Sequence, residues 1–321
     1  MTREPLANAG VAAKRPLTPR KLGLPWTLTR SVADDAHLTH RAEQPARAAA
    51  PLRVLMVAAR TRLRRFLFIT LAALLPALGW AEDAPPIAAA ADLKFALGEV
   101  AGRFTQERGR DLRLSFGSSG TFATQIENGA PFELFLSADE GFVLRLADRG
   151  LTEGRGVLYA IGRIVVFAPQ GSSLTADGEL QGLKAALAQG RIQRFAIANP
   201  EHAPYGRAAR SALRHAGIWE AIQPRLVLGE NAAQAAQFAA AGSSQGGIIP
   251  LSLSRAPEVA RLGGFAPVPA DWHADEPLRQ RMVLLKGAGE TARVFYAYLQ
   301  GPAVRDLLVR YGFVLPGETT P

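Results

Sequence analysis

The sequence predicts an α/β fold in which helices cover largely parallel sheets on both faces. Short apolar runs alternate with segments of helical periodicity from Ile87 to about Tyr311. This alternation is typical of βαβ units, whose parallel strands are buried on both sides. The alternating part follows an N-terminal leader and spans about 240 residues, more than one sheet usually needs. We therefore expect two lobes, each with its own mostly parallel sheet flanked by helices.

The first unit of this pattern is a strand, a tight turn and a helix. The apolar run Ile87–Ala91 predicts a buried strand, and Asp92 after it has the short carboxylate of a helix N-cap. Apolar residues then recur from Leu93 to Phe104 at the spacing of one helix face. A helix N-terminus at the carboxyl end of a strand is a natural anion site, although many such joints bind nothing.

Further strands and helices follow the same periodicity rules. We expect strands at 112–116, 134–136, 164–168, 195–198, 226–228, 247–249 and 282–285. We expect helices at 122–126, at 140–149 between an Asp139 cap and Gly150, and at 180–188, 207–216, 232–241, 291–300 and 303–311.

The leader has a different composition from the rest of the chain. Residues 1–55 are rich in Ala, Arg and Pro without an apolar period, which indicates a disordered or mis-started extension. Residues 56–81 carry a basic stretch, the apolar run Phe66–Leu78 and small residues at Gly79 and Ala81. This order predicts a signal peptide cleaved near Ala81. The alternative is an uncleaved anchor, which would make the protein a membrane-tethered interaction module.

Charge and cysteine content exclude several functions. The net charge is +9, but the first 81 residues hold 13 of the 37 basic and 4 of the 28 acidic residues, leaving 24 of each in the remainder. The basic balance belongs to the leader and is no argument for nucleic-acid binding. The chain has no cysteine, which excludes disulfides and thiol chemistry.

Two further joints between strand and helix carry polar groups. Phe116 to Thr121 reads FGSSGT, in which glycines allow close backbone approach and hydroxyls lie beside free helix amides. It is neither a Walker loop nor a nucleophile elbow, and a plain Ser/Gly turn is the alternative. Asn199 to Arg207 reads NPEHAPYGR and opens another helix with a phenol and an amide from Tyr205. His202 has no second histidine at ligand spacing, so we interpret it as a solvated or capping residue.

Four separated motifs together resemble the periplasmic molybdate-binding proteins of ABC importers. The motifs read AAADLK, SFGSSG, QIENGAPFELFLSAD and NPEHAPYG, and the Gly301-Pro302 and Tyr311-Gly312-Phe313 segments resemble the C-terminal end of that family. The match covers about Ile87 to Val314.

The resemblance implies a two-lobed periplasmic binding protein fold of type II. Lobe 1 would comprise residues 82–162 and 265–321, and lobe 2 residues 163–264, with hinge crossings near Gly162 and Gly264. It implies a non-enzymatic periplasmic carrier that holds molybdate or tungstate by neutral hydrogen-bond donors and needs no cofactor. Its partners would be the membrane permease and ATPase of an ABC importer, and carriers of this kind are usually monomers.

Three residues match ligand-binding positions of that family, and Asp92 occupies a fourth such position with a different side chain. Ser119 matches a hydroxyl and amide donor, Tyr205 the position after the proline of the NPEHAPYG motif, and Ala232 a backbone-amide donor. Asp92 stands where some members have Ser or Asn, and we expect its carboxylate to cap the helix while its amide faces the ligand. Pro250 stands where many members have a Tyr, a loss that Tyr205 would offset. Molybdenum would be held only as molybdate, through these same residues.

Two other functions remain open at this point. Asp92 could accept a hydrogen bond from a protonated oxyanion, which would make phosphate or arsenate the ligand. An exported hydrolase could use Ser119 or Ser118 with His202, although the sequence offers no third member of a triad.

Overall fold

The computed structural model describes residues 84–318, and the predicted extension and signal peptide lie outside this range. Two five-stranded sheets form the framework. The first sheet has the strand order β2-β1-β3-β10-β4. Its strands are β1 (Pro86–Ala90), β2 (Arg113–Gly117), β3 (Leu134–Ser137), β4 (Val157–Ile161) and β10 (Arg279–Leu284).

The second sheet has the order β7-β6-β8-β5-β9. Its strands are β5 (Ile164–Pro169), β6 (Phe195–Ala198), β7 (Leu226–Gly229), β8 (Gly247–Pro250) and β9 (Gly263–Pro267). Each sheet contains two parallel and two antiparallel strand pairings. Both antiparallel pairings involve β10 in the first sheet and β5 in the second. The predicted fold class, two α/β lobes of the type II binding-protein kind, is confirmed.

Helices connect the strands of both sheets. They are α1 (Lys94–Arg108), α2 (Ser119–Glu127), α3 (Glu140–Asp148), α4 (Gln181–Ala188), α5 (Pro204–His215), α6 (Trp219–Ile222), α7 (Ala232–Ala240), α8 (Leu251–Ser254), α9 (Pro257–Ala260), α10 (Glu290–Tyr298) and α11 (Pro302–Arg310). Among residues 84–318, none of these helices is long and apolar enough to cross a membrane.

Local capping explains where several helices begin and end. The Asp139 carboxylate accepts from the amide of Gly141 at 2.8 Å, which confirms the predicted cap of α3. Asn231 caps α7 in the same way through the amide of Gln234. Helix α1 ends at Gly109, whose φ of +64° is the left-handed conformation that glycine adopts without strain.

The sequence reading missed two strands and three short helices. β4 was missed although it ends one residue before Gly162, because it runs almost directly into the stronger apolar run of β5. β9 contains two glycines and a proline, which disfavour a strand locally. It forms because its five residues pair with β5 along the sheet edge. β9 continues to Pro267 within the second sheet. If each lobe is defined as one sheet with its helices, the chain therefore returns to the first lobe after Pro267 and not near Gly264.

Each sheet has its own hydrophobic core. In the first, Phe104 of α1 packs edge-on against Phe295 of α10, with ring centroids 4.9 Å apart, and both side chains are buried. In the second, Phe167 and Phe195 are fully buried between the sheet and its helices. Residues at the ends of β1 and β2 and in the joint after β6 line a common cavity.

Candidate functional site

A small cavity lies between the two sheets at these strand ends. Residues of both lobes line it: Ala90, Ala91, Asp92, Gly117, Ser118, Ser119, Ala138, Ala203, Pro204, Tyr205 and Ala232. No Lys, Arg or His side chain is among these described lining residues. The cavity therefore brings together all four residues that the sequence singled out, and it offers mostly neutral groups.

These four residues share a position at the start of a helix. Asp92 lies in the 3₁₀ turn Ala91–Leu93 that leads into α1, and Ser119 is the first residue of α2. Tyr205 is the second residue of α5, and Ala232 is the first residue of α7. Amides of a first helical turn have no intrahelical carbonyl to bond, and the helix dipole makes this end positive. Helix starts from both lobes thus converge on one point, which suits an anion.

Ser119 is held ready to donate. It is 1% exposed, and its Oγ accepts a hydrogen bond from the amide of Ala138 at 2.9 Å. Because this bond occupies a lone pair, the hydroxyl proton is available to the cavity. The same bond fixes the start of α2 to the end of β3, so the hydroxyl is oriented before a ligand arrives.

The carboxylate of Asp92 does not cap α1, so the sequence prediction for this side chain was wrong. Helix α1 begins after Leu93 without a side-chain cap. The Oδ2 atom of Asp92 instead accepts from the phenol of Tyr205 at 2.9 Å and from Nε2 of Gln280 at 2.6 Å. Two donors from distant elements therefore outcompete the local amides for this carboxylate.

Burial changes the acidity of Asp92. Its side chain is 1% exposed, and its Oδ1 atom has no hydrogen-bond partner among the described residues. Burial raises the pKa of Asp92 from 3.8 to about 6, although the hydrogen bonds from Gln280 and Tyr205 act in the opposite direction. This carboxyl group can therefore take up a proton close to neutral pH.

The phenol of Tyr205 is part of the same buried cluster. It donates to Asp92 and accepts from Gln280 at 3.1 Å, while the Oε1 atom of Gln280 accepts from the phenol of Tyr159 at 2.7 Å. Burial and the nearby carboxylate raise the pKa of Tyr205 well above 10, so the phenol stays neutral. Its proton is directed at Asp92, which leaves the backbone amide as its contribution to the helix start.

Sequence reasoning missed Gln280 and Tyr159. Both lie on strands, and no local motif marks a glutamine 188 residues from its carboxylate partner. Gly162 carried an indirect signal, because it was singled out as a hinge crossing. A Cβ atom there would lie 2.2 Å from the Tyr205 hydroxyl, so glycine makes room for the phenol.

Contacts across the cleft hold the two lobes together around the cavity. The hydroxyl of Ser118 and the amide of Gly120 both donate to the backbone carbonyl of His202, the latter at 3.1 Å. Arg207 of α5 pairs with Asp139 at 2.5 Å and with Glu276 at 2.7 Å. On the other side of Asp92, Ser252 donates to its backbone carbonyl at 2.8 Å. The structure is therefore a closed form.

The serine and histidine side chains do not form a catalytic pair. The Ser118 hydroxyl bonds the backbone of His202, and the His202 ring lies 3.6 Å from the carboxylate of Glu230 instead. Among residues 84–318, no group of three or more His, Cys, Asp and Glu side chains could hold a metal ion.

Comparison with known proteins agrees with this geometry. The family model described as bacterial extracellular solute-binding protein matches residues 86–314. The chain belongs to this family. It is 34% identical to the molybdate-binding protein ModA of Rhodobacter capsulatus over 220 residues, which cover 67% of this chain and 82% of that protein. It is 35% identical to ModA of Azotobacter vinelandii over 232 residues, covering 71% and 89%.

A solved structure supports the same grouping. The periplasmic molybdate-binding protein of Azotobacter vinelandii matches with a TM-score of 0.64 and 30% identity, over 72% of this chain and 99% of that one. The resemblance inferred from the four motifs is thereby confirmed. These relatives are named as binding proteins and not as enzymes, and nothing in them favours the phosphate, arsenate or hydrolase alternatives.

Proposed function

We propose that this chain is a periplasmic carrier that captures molybdate or tungstate in the cleft cavity and delivers it to an ABC importer. The observation that carries the proposal is the convergence of four helix starts from both lobes on one cavity without a cationic side chain. The names of its relatives supply the identity of the ion.

The proposed ligand set is Asp92, Ser119, Tyr205 and Ala232. Ser119 contributes a hydroxyl and an amide, while Tyr205 and Ala232 contribute first-turn amides from the opposite lobe. These groups would bond the oxygen atoms of the ion, so molybdenum itself is not ligated by the protein. Fixed donors then replace the hydration shell of the anion, as in other helix-terminus anion sites.

Transport requires the ion to enter and leave, so the closed form must open. We propose that the lobes move about the strand crossings at Gly162 and after Pro267, with lobe 1 formed by residues 82–162 and the C-terminal part. The bonds that join the lobes, including those of Arg207 and Ser118, break in the open form. A membrane permease and an ATPase are the proposed partners, and the carrier acts as a monomer without a cofactor.

The last part of the proposal concerns export of the chain. Residues 56–81 would direct the chain to the periplasm and be removed near Ala81, which N-terminal sequencing of the exported protein would test. A mature N-terminus well before Ala81 would contradict the cleaved signal peptide without affecting the site.

Calorimetric titration tests the function directly. We expect molybdate and tungstate to bind much more tightly than sulfate, because a smaller ion would leave some buried amides unpaired, at about 1–3 kcal/mol each. Phosphate should bind weakly as well. Absence of measurable molybdate and tungstate binding would refute the proposal.

A matched pair of variants at Ala232 tests the site. Proline is tolerated at the first position of a helix, so Ala232→Pro removes the amide donor while α7 can still form. Its ring also occupies the position of the amide hydrogen. Ala232→Gly keeps the amide and serves as the control. We expect the proline variant to lose at least about 10-fold in molybdate affinity, as for a hydrogen bond to a charged group, and the glycine variant to change it little.

A further inference from the structure

One oxygen of the buried carboxyl group in the cleft has no partner. The Oδ2 atom of Asp92 already accepts two hydrogen bonds, whereas Oδ1 accepts none from the described residues. Asp92 lines the cavity and is 1% exposed, so water outside the protein does not solvate this atom. Among the described residues, Oδ1 is therefore the position left open on this carboxyl group, and it belongs to a residue that lines the cavity.

Within residues 84–318, no cation is among the groups that set the pKa of this carboxylate. The groups that face it are the phenol of Tyr205, the side-chain amide of Gln280, its own backbone amide and, one bond further, the phenol of Tyr159. Both phenols have a pKa raised well above 10 and stay neutral. Ser252 of α8 bonds only the backbone of Asp92, and α7 carries no titratable side chain.

The cations on neighbouring elements are engaged elsewhere or exposed. Arg207 of α5 pairs with Asp139 and Glu276, and both Arg279 and Arg281 of β10 pair with Glu140. Lys94 of α1 and Arg113 of β2 are exposed. None of them contributes to the acidity of Asp92, whose pKa is set by burial and by neutral hydrogen-bond donors.

A dianion beside an ionised Asp92 would therefore meet uncompensated repulsion at short range. A neutral carboxylic acid in the same position has an O–H donor to offer. The bonds to Oδ2 fit this state well, because a carbonyl oxygen of a carboxylic acid also accepts hydrogen bonds. The unpartnered Oδ1 atom is then the oxygen that carries the proton.

We propose that Asp92 holds the oxyanion as a neutral carboxylic acid, donating a hydrogen bond from Oδ1 to an oxygen of molybdate, so that binding at alkaline pH takes up one proton. This inference rests on the proposed function. The proton comes from solvent, stays on Oδ1 in the complex and returns to solvent when the ion leaves; no other bond is made or broken. The pKa of about 6 in the closed structure makes the uptake accessible near neutral pH.

The affinity for molybdate then depends on pH in a defined direction. Below about pH 5 the carboxyl group is already protonated, and the affinity is constant. Above about pH 6 each further pH unit weakens binding up to about tenfold, because the free protein must first be protonated. Between pH 5 and pH 8 we expect a loss of about 100-fold.

Calorimetry in buffers of different ionisation enthalpy measures the proton uptake itself. With molybdate we expect close to one proton per ion at pH 8 and few at pH 5. Asp92→Asn replaces the proposed acid by an amide that donates permanently from the same position. It should show no uptake from this site and bind at pH 8 about as tightly as the wild type does at pH 5. Asp306→Asn, on the exposed face of α11, is the matched control and should keep the wild-type uptake.

Three outcomes would overturn the inference while leaving the carrier function standing. One is tight molybdate binding by the wild type at pH 8 without proton uptake. Another is a folded Asp92→Asn variant, verified by circular dichroism, that no longer binds molybdate at either pH. The third is a wild-type proton uptake that Asp92→Asn retains. If the variant does not fold, the wild-type proton count decides alone. Failure of the proposed function looks different, because the wild type would then bind no molybdate at pH 5 or pH 8.

Discussion

Burial of Asp92 makes the stability of the ligand-free protein depend on pH, and Asp92→Asn should remove this dependence. The variant keeps the shape of the side chain, and its carbonyl oxygen can accept from Tyr205 and Gln280 as Oδ2 does. Its amide group takes the place of the unpartnered Oδ1 atom. The substitution thus removes a buried charge and leaves the surrounding hydrogen bonds in place.

The direction in which stability changes with pH follows from the raised pKa of the Asp92 carboxyl group. A group whose pKa is higher in the folded than in the unfolded protein contributes stability that is fully present below the unfolded value of 3.8 and is lost as pH rises through about 6. At about 1.4 kcal/mol per pKa unit, the difference between 3.8 and about 6 corresponds to about 3 kcal/mol of stability in total. About half of this is already lost at pH 5, so about 1.4 kcal/mol remains to be lost between pH 5 and pH 8.

Urea unfolding of the ligand-free protein at both pH values measures this loss. Other groups also titrate, so the quantity of interest is the free energy of unfolding of Asp92→Asn minus that of the wild type. We expect this difference to be about 1.4 kcal/mol larger at pH 8 than at pH 5. Asp306→Asn should show no such change, because this residue is exposed.

A constant difference between variant and wild type across this range would refute the reasoning. It would mean that Asp92 has an ordinary acidity in the folded protein, as a water-filled cleft would give it. A difference that shrinks with rising pH would require a compensating cation near Asp92, which none of the described residues supplies.

Three further substitutions test the groups around the cavity. Ser119→Ala deletes a hydroxyl near a charged ligand, which costs about 1.5–3 kcal/mol of binding free energy. Titration should show molybdate affinity weakened roughly 10- to 100-fold, while the melting temperature stays unchanged. An unchanged affinity would remove Ser119 from the site. Tyr205→Phe removes a bond that joins the lobes and that lowers the pKa of Asp92. Molybdate affinity at pH 5 should therefore fall, while the pH above which affinity declines should rise. A decline that begins at lower pH than in the wild type would contradict the hydrogen-bond assignment. Arg207→Gln breaks the ion pairs with Asp139 and Glu276 outside the cavity, so molybdate affinity should fall by up to about fivefold. Small-angle scattering should show that molybdate compacts the variant less than the wild type. Equal compaction would show that these ion pairs do not favour closure.

The parts of the fold that the sequence predicted are those with local causes. Helix α7 follows from periodicity, and α3 with its Asp139 cap follows from periodicity and capping chemistry within a few residues. β9 does not, because its glycines and proline oppose a strand and only the pairing with β5 makes one. Tertiary pairing of this kind has no signature in the segment itself.

The candidate site was likewise predictable only where its features have local causes in the sequence. The structure places all four predicted residues on one cavity, because strand-to-helix joints are local patterns and parallel strands end at the same edge. The environment of Asp92 was not predictable from its neighbours in sequence. A short carboxylate before a helical segment favours an N-cap, yet Tyr205 and Gln280 approach it from 113 and 188 residues away.

The strand order of the first sheet has a consequence for how the protein is made. β10 lies between β3 and β4, although the whole second sheet separates it from them in the chain. A chain that folds from its N-terminus can complete the second sheet while the first still lacks its fourth strand in space. Gln280 arrives with that strand, so the carboxylate of Asp92 lacks this donor until residues 279–284 insert. The same insertion that closes the first sheet also supplies this donor to the cavity residue Asp92.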